Sequence, residues 1–197
     1  MAITKTTLLP LEYGTFTIAY HKTDKGDCVS VSFGDLQKNT PVVRIHSSCL
    51  FGESFHSLVC DCAAQLDSTL KLIVENKAGV VIYGYAEGRG IGLELKIAAL
   101  ELQRTRHINT VEAFKALGFE PDIRTYDVGV MALRQLNVAT TIKFASQNPR
   151  KLAAVREGGF QVVEQLHPKV QLNKHNIQEL RTKKQLLGYN ILHELES

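Results

Sequence analysis

GVVIYGYAEGRGIGLELKIAALELQ, residues 79–103, sets an apolar run, a glycine-rich loop and a run of helix formers end to end. Gly79–Tyr85 is short, continuous and apolar, the pattern of a buried strand, and Leu93–Gln103 reads as a helix. A strand that hands over to a helix through a tight loop is a building unit of α/β and α+β domains. Ligands commonly bind at such loops, beyond the carboxyl ends of the strands. The loop itself, Glu87-Gly88-Arg89-Gly90-Ile91-Gly92, spells GxGxG and not GxGxxG, so it does not meet the dinucleotide fingerprint. Its glycines permit close backbone approach, Arg89 can hold a phosphate, and Glu87 can accept paired hydrogens from the edge of a purine base. A tight turn whose charges face water fits the same residues.

Working outward, Gly14–His21, Cys28–Phe33 and Pro41–Ser47 are rich in β-branched or aromatic residues, and the turn-forming HKTDKGD and GDLQKNT separate them. They read as an N-terminal antiparallel meander. Cys62–Lys77 then places Leu66, Leu70, Ile73 and Val74 on one helical face. Downstream, Thr110 is expected to cap a short helix with Val111, Phe114 and Leu117 inward and Gly118 at its end. A helix ending near Asn137, a strand at Thr140–Ala145, a helix from Pro149 to Gly158–Gly159 and a strand at Phe160–Gln165 follow. Residues 168–197 read as a polar C-terminal tail, whose helical segment Gln178–Leu187 either packs on a partner or frays. The expectation is one α+β (α/β-like) domain over residues 1–197, a mixed sheet with flanking helices.

A chain of 197 residues suits a single domain with a substantial core. At 44% hydrophobic, 22% charged and a net charge of +3, it is too weakly basic for a nucleic-acid binder. Tryptophan is absent and aromatics make up 7%, which argues against a stacking platform for single strands. No stretch approaches the roughly 18 consecutive apolar residues of a membrane span. Pro10 and Glu12 interrupt the N-terminus, leaving no secretory signal, so the cytoplasm is the expected compartment.

Cysteines stand at 28, 49, 60 and 62, and the last three form Cys49-x10-Cys60-x-Cys62. A Cys-x-Cys pair is too tight for an easy internal bridge, and a cytosolic chain of this size needs none. Cys49 closes a predicted strand while Cys60 and Cys62 precede a helix, so a short excursion can bring the three together. Three thiolates with an open fourth position describe a catalytic zinc. His46 or His56 can instead close a structural Cys3His site, and unmetallated thiols remain a third alternative. Cys28 reads as a small core residue. An open zinc site has a clear use: it lowers the pKa of bound water from about 16 toward 7.

Pro121-Asp122-Ile123-Arg124 places an acid and an arginine two residues apart, which co-face only if the segment is extended. Ser146-Gln147-Asn148-Pro149-Arg150-Lys151 combines a helix start with a lysine, the makings of a phosphate site. Surface ion pairs and Asn-Pro turns also occur without any ligand.

Taken together, RIHSSCLFGESFHSLVCDCAAQL (44–66), AEGRGIGL (86–93), NTVEAFKALGFEPDIRTYD (109–127) and SQNPRK (146–151) resemble the GTP cyclohydrolase II family, in family order and over about residues 9–190. The resemblance implies one zinc per chain on Cys49, Cys60 and Cys62. It implies a nucleotide site lined by Arg44, His46, Ser47, Ser48, Gln65, Glu87, Gly88, Arg89, Thr110, Ser146 and Lys151. It further implies GTP as substrate, Mg2+ with the triphosphate, release of formate and pyrophosphate in riboflavin synthesis, and a homodimer. Asp122 matches the family's general base, and Arg124 matches an arginine named as nucleophile toward the α-phosphorus. Deprotonating a guanidinium at pH 7 costs on the order of 8 kcal/mol, whereas a fixed cation stabilises transferring charge without that cost.

Three positions depart from the family pattern. Ser48 stands where HSECLTGD has glutamate, Ala63 where CDCG has glycine, and Leu100 where a tyrosine associated with formyl hydrolysis usually sits. The segment Leu100–Asn109 is also one residue longer than usual. These departures leave open a cyclohydrolase that retains the formyl group, a relative acting on another nucleotide, or a zinc-stabilised nucleotide sensor without turnover. A sensor has no need of Asp122, Arg124 and an open thiolate site together.

Overall fold

Seven strands pair into one mixed sheet in the order β1-β2-β3-β5-β4-β6-β7 in the computed structural model, which describes residues 2–169 and 172–191. β1 (Ala2–Leu11), β2 (Gly14–Thr23) and β3 (Gly26–Gly34) form the antiparallel meander. The sequence reading does not contain β1. That strand lies at the sheet edge with Leu8 and Ile3 exposed, so it lacks the apolar alternation that marks a half-buried strand. An edge also tolerates Pro10.

The expected third member of the meander, β4 (Val42–Ser47), belongs elsewhere. β5 (Ala78–Gly84) inserts between β3 and β4, antiparallel to the first and parallel to the second. The crossover from β4 to β5 runs through helix α2 (Cys62–Glu75). β6 (Thr141–Ala145) and β7 (Gln161–Leu166) extend the parallel half. Composition explains the order, because Val42, Val43, Ile45, Val80, Val81 and Ile82 are all buried. Strands that are apolar on both faces belong at the middle of a sheet covered on both sides.

Alternation along these strands divides the core. Val43, Ile45, Val80 and Ile82 pack with α5 (Asp127–Gln135) and α6 (Pro149–Glu157) through Val130, Leu133 and Val155. Val42, Val81 and Phe16 face the other way and meet α2 through Ile73, Leu66, Leu70 and Val74, the helical face read from the sequence. A smaller cluster joins α3 (Gly92–Arg106) to α4 (Thr110–Ala116) through Ala99, Ala113 and Phe114. The cap of α4 is Asn109 and not Thr110. Its side chain accepts from the N–H groups of Val111 and Glu112, and Glu112 returns a bond to the Asn109 N–H.

The polar tail is also corrected where it is described. Helix α7 (Ile177–Leu186) folds back on its own chain, with Leu180 and Thr182 buried and Leu180 packed beside Ile191 and Tyr189. Residues 170–171 and 192–197 of that tail lie outside the described residues. Among the described residues no helix is long and apolar enough to cross a membrane. The parallel strands β4, β5 and β6 end together at Ser47, Gly84 and Ala145, and the loops leaving those ends enclose a cleft rich in thiols and cations.

Candidate active site

Cys49 leaves β4 and caps the one-turn helix α1 (Leu50–Glu53), its Sγ accepting from the Gly52 N–H at 3.4 Å. Cys60 and Cys62 come back at the start of α2, and the three Sγ atoms lie within 4.8 Å of one another, Cys49 and Cys60 at 3.5 Å. Gly52 keeps the cradle open: a Cβ there falls 2.8 Å from the Cys60 sulfur. Hydrogen bonds from the Cys60 and Cys62 thiols, then the Gly52 N–H and the Lys96 charge, push the Cys49 thiol far below its ordinary range. The Lys96 ammonium sits 3.3 Å from that sulfur. Among the described residues no histidine or carboxylate joins the cluster. His46 is engaged elsewhere and His56 is exposed, so the closed Cys3His arrangement does not form. Three converging sulfurs with an open side match the donor set of an open zinc site. Cys28 is fully buried in the core, its thiol pushed up to about 11 by burial.

Beside the thiols lies a floor of cations. Arg44 projects from β4 and is buried. Its Nε donates to His46 Nδ1 at 2.9 Å, Nη1 to the Ala145 carbonyl at 3.0 Å and Nη2 to Gln65 Oε1 at 2.6 Å. Since a guanidinium only donates, His46 Nδ1 is an acceptor and its Nε2–H donates to Glu53 at 2.8 Å. Burial pulls His46 down to about 4. The Glu53 hydrogen bond opposes that shift, and the charges of Arg44 and Lys151 add to it, so the imidazole is neutral at physiological pH. Gln65 in turn donates to Asp61, which also receives Lys183 Nζ at 3.2 Å.

Lys151 stands in the first turn of α6 and is buried, yet no carboxylate among the described residues pairs with it. Burial, then the Arg124 and Arg44 charges, push its pKa well below the usual lysine range. A buried amine beside two guanidinium groups and without a counter-ion has its charge restored when an anion binds. Ser146 lies just before it, its Oγ accepting from the Asn148 N–H at 3.2 Å.

Across the cavity, Glu87 is already engaged. Its carboxylate accepts from the Leu50 N–H at 2.8 Å, the Gly88 N–H at 3.0 Å and Lys96 Nζ at 2.7 Å. Arg89 adopts a left-handed backbone at φ 54°, which a side chain rarely tolerates without support. The Ile123 N–H donates to its carbonyl at 3.2 Å, and its guanidinium reaches the Pro121 carbonyl and forms an ion pair with Glu179 of α7. Gly90, at φ 98°, is required beneath Ile123, whose Cγ1 lies 2.8 Å from any Cβ placed there.

Asp122 and Arg124 do co-face, in an irregular segment. Arg124 donates through Nε to Asp122 Oδ1 at 2.9 Å and through Nη2 to Oδ2 at 2.7 Å, a forked pair. Burial raises the Asp122 pKa, but the Arg124 hydrogen bonds and charge outweigh it and hold the carboxyl below the usual range. Burial likewise opposes the Arg124 charge, and Asp122 overcomes that and drives the guanidinium pKa up. Arg150 clamps the segment by donating to the carbonyls of Asp122 and Arg124. The remaining Arg124 donors reach Ser47 Oγ at 3.2 Å and Tyr189 Oη at 3.3 Å.

Two adjoining cavities result. The smaller, about 150 Å3, holds Arg44, His46, Ser47, Ser48, Gln65, Glu87, Gly88, Arg89, Arg124, Ser146, Lys151 and the three thiols in its wall. The larger, about 500 Å3, is lined by Val59, Ala99, Leu100, Ile108, Phe114 and Thr110, and shares Cys60, Arg89, Lys96 and Glu179 with the first. Of the residues singled out in the sequence, Thr110 lies in the larger cavity and Asp122 sits behind Arg124, outside both linings. Sequence reasoning missed Glu53, Asp61, Lys96, Asn148, Glu179, Lys183 and Tyr189. Asp61 was marked by its place between two cysteines. Glu179 and Lys183, four apart, look like any solvated helix pair until the helix is docked.

The GTP cyclohydrolase II family pattern matches residues 2–167. A GTP cyclohydrolase-2 of Shewanella baltica is 42% identical over 187 residues, covering 93% of this chain and 91% of that protein. One from Shewanella amazonensis is 40% identical over 192 residues, covering 96% and 93%. The riboflavin biosynthesis protein RibBA of Aquifex aeolicus is 42% identical over 186 residues, 92% of this chain but 45% of that longer protein.

Proposed function

The chain belongs to the GTP cyclohydrolase II family, and we propose that it opens the imidazole ring of GTP with release of pyrophosphate, using zinc held by Cys49, Cys60 and Cys62. The observation that carries this reading is the junction itself: an open thiol triad beside a small cationic cavity, with Cys60 shared by a larger cavity of mixed polar and apolar lining. The cationic cavity suits the phosphates, and the larger one offers apolar side chains and hydrogen-bonding groups to the base. The chemistry that zinc supplies on these thiolates is activation of water near neutral pH. Mg2+ accompanies the triphosphate in this reading, and family membership motivates a cytoplasmic homodimer.

The chain's own residues divide the remaining work. Arg44 and Lys151 hold phosphate oxygens, and Ser47, Ser48 and Ser146 line their approach. Arg124 stabilises charge at the α-phosphorus as water displaces pyrophosphate. The Asp122 pair keeps the guanidinium protonated, which argues for electrostatic stabilisation over nucleophilic attack. Asp122 therefore acts as a positioning residue for Arg124, its carboxylate already occupied. Glu87 holds Lys96 beside Cys49 and orders the glycine loop.

A second reading concerns the product, and the position of Leu100 favours it. One water opens the ring and leaves a formamide, and a second must release formate. Leu100 lines the larger cavity, to which Cys60 also contributes, and its side chain offers neither a hydroxyl nor a hydrogen bond. We therefore expect the formyl group to be retained. The test is to incubate the zinc-loaded protein with GTP and count formate against pyrophosphate. Formate should fall far below pyrophosphate, and Leu100→Tyr should raise it. Equal yields from the unmodified protein contradict retention, and no ring opening at all contradicts the proposed activity.

A further inference from the structure

The tail segment that crosses the small cavity lies beyond residues 2–167, yet Tyr189 forms part of the wall. Its position is fixed by neighbours. Asn190 N–H donates to the Gln147 carbonyl at 2.9 Å, Lys183 pairs with Asp61, and Glu179 pairs with Arg89. The hydrogen-bond roles at the Tyr189 oxygen can be worked out one by one. The Arg150 backbone N–H donates to Asn148 at 2.9 Å, which identifies that amide atom as Oδ1 and turns Nδ2 toward the tyrosines. Asn148 Nδ2 then donates to Tyr189 Oη at 2.8 Å, and Arg124 Nη2 donates to it at 3.3 Å. Neither nitrogen can accept a proton in return. With both lone pairs engaged, the O–H of Tyr189 has no acceptor among the described residues. It borders a cavity walled by Arg44, Arg124 and Lys151.

A second group in that wall is also unpaired: Oε1 of Gln147, which is buried and has no hydrogen-bond partner among the described residues. The idle hydroxyl beside these basic groups is what an anionic oxygen satisfies, whereas the Gln147 oxygen can accept only from a ligand N–H or O–H.

We propose that Tyr189 is a substrate-binding residue whose hydroxyl donates to a non-bridging oxygen of the phosphate group that Arg124 contacts. This rests on the reading of the small cavity as the phosphate compartment. The hydroxyl is poised by Arg124 and Asn148, so that it binds the phosphate and fixes its orientation to Arg124 in one contact.

Tyr189→Phe tests the assignment, because it removes the donor and keeps the ring against Leu180 and Ile191. Calorimetric titration uses three probes: inorganic tripolyphosphate, GTP and guanosine. Affinity for tripolyphosphate and GTP should fall by about 10-fold, the usual loss for a hydrogen bond to a charged group. Guanosine affinity should stay unchanged, and the melting temperature of the free protein should fall only modestly, because Asn148 and Arg124 lose one acceptor. Unchanged tripolyphosphate affinity, an equal loss for guanosine, or an unmodified protein that binds no tripolyphosphate overturns the proposal. The two readings fail separately. A protein that loses tripolyphosphate affinity in the variant but never opens GTP keeps the Tyr189 assignment and loses the activity. One that opens GTP while the variant and the unmodified protein bind tripolyphosphate alike does the reverse.

Discussion

Arg44, Arg124 and Lys151 reach the small cavity from a strand, a clamped loop and a helix start, all anchored on the central sheet. Glu179 and Lys183 reach the same space from α7, and Tyr189 from the segment after it, a unit whose own apolar cluster is Leu180, Ile191 and Tyr189. The floor is over-determined: Arg44 alone makes three hydrogen bonds, and Arg124 is gripped by a forked carboxylate. The roof is held by ion pairs to Arg89 and Asp61, by the hydrogen bonds that Asn148 and Arg124 donate to Tyr189, and by one backbone bond. What differs is how each side meets the cost of gathering cations. The floor does it with fixed partners for Arg44 and Arg124, and the roof with one carboxylate, Glu179, set against Arg89.

Breaking the floor should have the largest effect. Arg124→Ala leaves the Asp122 carboxylate buried without its partner, and we expect a loss of about 3–5 kcal/mol in denaturant melts. The double variant Asp122→Ala/Arg124→Ala should regain part of that stability while staying inactive. A single variant as stable as the unmodified protein would show that the pair is not buried as described.

Acid attacks the same floor through His46, which is faced by Arg44, Lys151, Glu53 and Tyr83. Its folded pKa, down to about 4, lies below the unfolded value of 6.5, so the unfolded chain binds the proton more readily. Stability from this group is therefore full above pH 6.5 and drains away as pH falls to 4, by up to about 3 kcal/mol. Melts across that window should slope accordingly, and a His46→Gln protein should lose that slope.

Lys151→Met sharpens the comparison, because it removes a buried amine that has no counter-ion among the described residues. The free protein should gain about 1 kcal/mol, and nucleotide affinity should fall roughly 10- to 100-fold, as for a lost charged hydrogen bond. Calorimetry and a thermal melt on one preparation check both signs. The smallest effect belongs to the roof. Glu179→Gln keeps an acceptor for the largely buried Arg89 guanidinium, so it should cost only about 1 kcal/mol yet speed amide exchange along α7 and leave β4 and β6 untouched. Faster exchange in β4 would mean that roof and floor are one unit.

The floor is largely legible in the sequence because its residues sit in compact local patterns. CLFGESFHSLVCDC fixes two converging turns, and SQNPRK announces a helix start with its cap and lysine. The central strands are legible for the same reason, since unbroken apolar runs demand burial. Three features are not. β1 is an edge strand with a solvated face, so its pattern carries no period. The placing of β4 beside β5 depends on a crossover that no local pattern encodes, and so a meander read from local pattern runs one strand too far. Glu179, Lys183 and Tyr189 act only after a helix returns to the site across a long sequence separation. On a helical wheel Glu179 and Lys183 cannot be told from a solvated face, and Tyr189 lies beyond the helix altogether.

Catalysis as proposed here requires the thiol triad to be an open metal site that works against the cationic floor. The most direct test measures zinc content and GTP conversion together, by mass spectrometry, in the unmodified protein and in Cys60→Ser. We predict one zinc per chain with ring-opened product and pyrophosphate from the first, and neither bound zinc nor ring opening from the second. Full ring opening by a metal-free Cys60→Ser protein would contradict that prediction and the zinc mechanism with it.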